Sequence, residues 1–101
     1  MPTPDLPTDS PTWPYVLAFA LKMEAKLDQN RHKGDRNGWL RDTPESLSRR
    51  VADEHEELIQ AMEDRADPDD VWDEAADVAN MAMMTADSYW TRIAPIASGR
   101  R

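Results

Sequence analysis

Apolar positions along the chain fall into three stretches with helical spacing. Val16, Phe19, Ala20, Met23 and Leu27 recur at three- and four-residue intervals, the period that places side chains on one face of an α-helix. They predict a first helix over about 12–31, with Ser10 or Thr12 placed to cap it. Leu17 and Leu21 lie off this stripe, so the helix is expected to be covered on more than one side. A second stripe, Leu47, Val51, Leu58 and Met62, predicts a helix that Thr43 caps, with Pro44 at its first position, running to about Ala66. The third stretch, about 68–91, starts at Asp67 and Pro68, a second cap-then-proline pair. It is apolar nearly all round: Val71, Trp72, Ala75, Val78, Met81, Met84, Tyr89 and Trp90. A helix of that kind is buried on most sides. Two neighbours in so short a chain can hardly cover it, so oligomerisation is expected to complete the core.

What lies between and outside the stripes is punctuation. Residues 30–42, NRHKGDRNGWLRD, read as a loop broken at Gly34 and Gly38 and carrying Arg31, His32, Lys33, Arg36 and Arg41. Residues 1–11, with prolines at 2, 4, 7 and 11, read as an extended or disordered arm. Residues 92–101 read as a short tail. The expectation is an all-α helical bundle of three main helices occupying 12–91, with no internal repeat.

The acids of the second and third helices change the picture from scaffold to chemistry. Glu54 and Glu57 are three apart, as are Glu74 and Asp77, and residues at that spacing share a helix face. If the two helices fold back on each other near Asp67, a rise of ~1.5 Å per residue puts Glu57 roughly 13 Å before the turn and Glu74 roughly 10 Å after it. Glu54 and Asp77 fall at roughly 18 and 15 Å by the same rise. Four carboxylates at similar depth in a helical hairpin call for divalent cations. Glu54 and Glu57 also sit at the edge of the apolar stripe, beside Arg50 and Ala61, where residues lining a cleft belong.

This pattern, E-x-x-E, sixteen residues, then E-x-x-D, resembles the signature of the all-α nucleoside triphosphate pyrophosphatases, the MazG-like superfamily. Asp53 and Glu54 stand where that family has two adjacent acids. The contexts LSRRVADEHEEL, DEAADVANMAMMTAD and KLDQNRHKGDRNGW are similar to the family's helices and to the segment before them. The resemblance spans about 13–90. It implies a MazG-like bundle that hydrolyses a nucleoside or deoxynucleoside triphosphate to monophosphate and pyrophosphate with magnesium, for which manganese can substitute. It assigns metal-ligand roles to Glu54, Glu57, Glu74 and Asp77 and catalytic roles to Glu54 and Glu57. Asp53 takes a helper role in positioning water, and departs from the family's usual glutamate. Magnesium takes oxygen ligands and keeps some water, which suits carboxylates combined with substrate phosphates.

Other residues have two readings each. Lys26, Asn30, Lys33 and Arg36 are placed to receive phosphate, or are solvated loop groups. Trp39 is placed to stack on a base or to cover the core. Asn80, one turn beyond Asp77, is placed to bind a base, ribose or water, or to serve the core as a buried amide. His55 lies between the acids in sequence but points off their face.

Charge and composition exclude several classes. The net charge of −8 argues against broad binding to nucleic acid through its phosphates. Eight of the twelve Lys/Arg fall within 22–50, whereas 51–91 holds thirteen acids and Arg65 alone among the cations. An acidic half able to hold metal thus faces a basic half able to hold phosphate. With no cysteine, disulfide frameworks and thiolate chemistry are out. No apolar run approaches the ~20 residues that span a bilayer, and the proline-rich start is unlike a signal peptide. A soluble, cytoplasmic protein, a homodimer or homotetramer, is expected. Two alternatives stand beside the general pyrophosphohydrolase: an enzyme preferring dUTP or dCTP, and a non-catalytic helical interaction module that retains the acidic helices.

Overall fold

The computed structural model of the protein describes residues 9–97. Residues 1–8 of the expected 1–11 arm and 98–101 of the expected 92–101 tail lie outside the described residues. In chain order the elements are α1 (Trp13–Gln29), a 3-10 turn (Arg31–Lys33), the single-turn α2 (Arg36–Trp39), α3 (Pro44–Glu63) and α4 (Pro68–Ala97). Among the described residues there is no strand, and the all-α expectation holds. The three long helices are those the apolar stripes predict. The 30–42 segment is more ordered than a loop, because Asn30 caps α1 and Asp35 caps α2 by accepting from the Asn37 N–H at 3.1 Å.

The caps show why each element starts and stops. Thr43 accepts from the Ser46 N–H at 3.1 Å and Pro44 follows it, as expected for a helix start. Thr12 stands at the N-cap of α1 but makes no capping bond; its hydroxyl instead shares a 3.0 Å hydrogen bond with that of Ser10. α3 ends at Glu63 rather than near Ala66. Arg65 takes a left-handed backbone (φ 53°), with its N–H on the Met62 carbonyl and that of Ala66 on the Ala61 carbonyl. This is the Schellman turn that reverses a chain sharply after a helix. α4 runs six residues past its expected end at Thr91. Arg92 holds this extra turn in place, donating to the carbonyls of Leu40 (3.1 Å) and Ser88 (3.3 Å) and to the Ser88 hydroxyl.

α4 is the central element. α3 lies along it over the greatest length, and α1 and α2 also pack on it. α3 and α4 form an antiparallel hairpin. α1 runs parallel to α4, as the ion pairs Lys22 with Asp73 (2.8 Å) and Lys26 with Asp77 (3.5 Å) require, each partner stepping four residues. Phe19 meets Trp72 edge to face, centroids 5.3 Å apart, a favoured aromatic geometry. Leu47 and Ala76 are fully buried and Met81 nearly so. Tyr15, Val16, Leu21, Met62, Trp72, Tyr89 and Trp90 remain exposed, so much of the apolar surface foreseen on α1 and α4 is uncovered within one chain.

Candidate metal centre

The hairpin brings the two acid pairs to one place. One carboxylate oxygen from each of Glu54, Glu57 and Glu74 lies within 4.8 Å of the others. Glu54 and Glu74 are half-buried and Glu57 is exposed, so the group opens to solvent on the Glu57 side. Oε2 of Glu74 is buried and has no hydrogen-bond partner. A buried unpaired carboxylate oxygen is costly, and a cation would supply what it lacks.

The electrostatics point the same way. Burial, then a hydrogen bond and charge from Glu57, then the charges of Asp77 and Glu74, push Glu54 up to about 7. Burial raises Glu74, with Asp77 and Glu57 adding to it and Lys26 opposing. Asp77 is also raised by burial, against the pull of Lys26. Like charges at this distance disfavour ionisation, and oxygen donors of one sign fit a hard divalent cation.

Asp77 stands beside the three glutamates, its Oδ2 held 3.5 Å from the Lys26 ammonium. Asp53 is exposed on α3, turned about 100° from Glu54 by the helix.

Glu54, Glu57 and Asp77 border a cavity of about 500 Å³, whose remaining wall is largely the basic segment. Lys26, Asn30, Lys33, Trp39 and Asn80 all line it, as the sequence reading expects of a substrate site. Asn30 turns its amide N–H onto the Lys26 carbonyl at 3.0 Å. Asn80, 4% exposed, donates to the Met23 carbonyl at 3.0 Å, which fixes its amide and leaves Oδ1 buried without a partner.

Comparison with protein-family models, curated proteins and solved structures finds no match to this chain.

Arg36 is the expected phosphate group that the structure places elsewhere. It is absent from the cavity wall and instead forks onto Asp87, with Nε 2.9 Å from Oδ2 and Nη2 3.0 Å from Oδ1. Trp39 lines the cavity with its ring but gives its indole N–H to the same Oδ2 at 2.9 Å. Arg36 and then Trp39 hold Asp87 below the usual carboxylate range, in spite of its burial.

Three residues of this neighbourhood have no site role in the sequence reading. Arg41 and Arg50 line the cavity, and Arg50 stands four residues before Glu54, the spacing that stacks side chains on one face. Asp87 is an acid in the most apolar stretch of the chain, and a buried carboxylate there requires a cationic partner. His55 is exposed and borders a shallow groove with Ser48, Val51 and Val78 on another side of the hairpin.

Proposed function

We propose that the protein is a magnesium-dependent nucleoside triphosphate pyrophosphohydrolase of the MazG-like kind, releasing pyrophosphate and a nucleoside monophosphate. One observation carries the reading. Carboxylates from both acid motifs converge within 4.8 Å at the edge of a cavity whose other wall carries Lys26, Lys33, Arg41 and Arg50. Acids on one wall and cations on the other match a metal-bound polyphosphate, and the cavity's size falls within the range of small-molecule sites.

Glu54, Glu57 and Glu74 would hold the metal, with Asp77 at its edge. Magnesium, or manganese in its place, supplies the Lewis acidity that offsets charge on a polyphosphate. Glu54, pushed up to about 7, would have to be ionised to serve as a ligand. Lys33, Arg41 and Arg50 line the cavity and would balance phosphate charge, whereas Lys26 is paired with Asp77. The ring of Trp39 offers a flat apolar wall against which a base stacks. Asn80 lines the cavity with its amide held by the Met23 carbonyl. The apolar side chains left exposed on α1 and α4 support a homodimer or homotetramer, since soluble monomers rarely leave large apolar patches open.

The test is the bond broken. With magnesium and a panel of ribo- and deoxynucleoside triphosphates, pyrophosphate should appear, and orthophosphate only after an inorganic pyrophosphatase is added. Direct release of orthophosphate with a diphosphate product would overturn the reaction. Absence of any magnesium-dependent turnover would leave the interaction module. The same panel decides whether dUTP or dCTP is preferred.

A further inference from the structure

We infer that Asp87 is a positioning residue that clasps the 36–42 segment onto α4 and so sets the part of the cavity wall that carries Trp39 and Arg41, with Arg36 as its tether. The part that concerns nucleotide binding rests on the function proposed above; the clasp itself does not.

The segment has little to hold it by itself. α2 is a single turn of four residues, far below the length at which a helix persists unaided. Its shape comes from α4, which grips it from three residues. Asp87 takes two N–H groups of Arg36 and the indole N–H of Trp39. Ser88, fully buried, donates its hydroxyl to the Asp42 carbonyl at 3.0 Å. Arg92 donates to the Leu40 carbonyl at 3.1 Å.

Of the three, Asp87 has the most at stake. It is 4% exposed, and a carboxylate buried to that degree is tolerated only while its partners stay in place. An arginine fork on a carboxylate is also the most directional ion pair available to the chain. The clasp therefore dictates two features of the cavity. The indole N–H of Trp39 is committed to Asp87, so its ring serves the cavity as a surface and not as a donor. The Arg36 fork is likewise committed away from the cavity, which leaves phosphate to the cations that do line it.

The experiment compares wild type, Asp87→Asn, Arg36→Gln, Arg36→Lys and the Asp87→Asn/Arg36→Gln pair. Amide hydrogen exchange on the free protein reads the clasp without any nucleotide. Asp87→Asn and Arg36→Gln should each speed exchange across 36–42 by about tenfold or more, the scale of a lost charged hydrogen bond. The pair should do no more than either alone, because both remove one interaction. Amides over 54–58 and 74–80 should keep their wild-type protection. Arg36→Lys keeps the charge and the fold but loses the fork, and should loosen the segment to a lesser degree. With magnesium and dCTP, dUTP or ATP, Asp87→Asn and Arg36→Gln should raise KM by about tenfold while kcat changes much less, as expected when binding geometry is lost.

Unchanged exchange over 36–42 in both single variants would overturn the clasp, as would a uniform rise over all helices. A higher KM in Arg36→Gln with the segment still protected would return Arg36 to phosphate binding and overturn the inference. If wild type turned over no nucleotide, the enzymatic reading would fall and the exchange pattern alone would decide the clasp.

Discussion

Neutralising Glu54 is the most informative single change to the acid cluster. Glu54→Gln keeps the shape of the side chain and removes the charge that burial, Glu57, Asp77 and Glu74 all oppose. The carboxyl sits at about 7 against an ordinary 4.5, and each pH unit corresponds to ~1.4 kcal/mol. The whole displacement therefore amounts to about 3 kcal/mol, a ceiling for the substitution. Burial, the largest cause, disfavours the amide too, and Glu57 is screened by solvent. About 1–2 kcal/mol of relief is expected, or roughly 5–10 °C in Tm for a domain of this size.

The sign with pH follows from where the proton is held. Between about 4.5 and 7 the folded state keeps a proton that the unfolded state has lost, so metal-free stability falls as pH rises through that window. The variant has no such proton. It should melt above wild type at pH 8 and level with it at pH 5, as followed by circular dichroism in a chelator. Added magnesium or manganese should raise wild type by RT ln(1 + [L]/Kd), ~2.7 kcal/mol at a hundredfold excess over Kd, and the variant by much less. A variant that melts at or below wild type at pH 8, or keeps its full gain with metal, would refute the account of the cluster.

Two further outcomes are expected. Arg65 adopts φ 53°, which costs a side-chain-bearing residue ~1–2 kcal/mol and glycine little; after the entropy glycine adds to the unfolded chain, Arg65→Gly should stabilise by about 0.5–1 kcal/mol in urea melts, and a loss would show that the arginine side chain matters to the turn. Light scattering at tens of micromolar should report a dimer or larger, and a clean monomer would show that the exposed apolar residues of α1 and α4 need no partner.

The acid cluster is legible in the sequence because it depends on one helical hairpin. Spacing of three places Glu54 with Glu57 and Glu74 with Asp77, and helical rise brings the pairs to one depth. Both rules act within an element or across one short turn. The bias of Asp77 toward Lys26 comes from a third helix, α1, whose rotation about its axis no period in α3 or α4 encodes. The helix ends were misjudged for a related reason: Arg65 turns left-handed without a glycine to announce it, and the last turns of α4 are held by contacts to Leu40, remote in sequence.

The same distinction explains how Lys26, Lys33 and Arg36 came to be read alike. All are cations in or next to the basic segment, and composition alone assigns them one task. What separates them is the partner each can reach once α4 is in place. Lys33 faces the cavity. Lys26 lies against Asp77, where a metal would compete with it. Arg36 finds Asp87, fifty-one residues later. A carboxylate buried in this apolar stretch has few ways to be tolerated, and a planar fork from a neighbouring turn is the best of them. A segment too short to fold alone is thereby shaped by a helix that must satisfy its own buried acid. The shape of that segment and the placement of Trp39 and Arg41 in the cavity wall thus depend on the same three side chains, Arg36, Trp39 and Asp87.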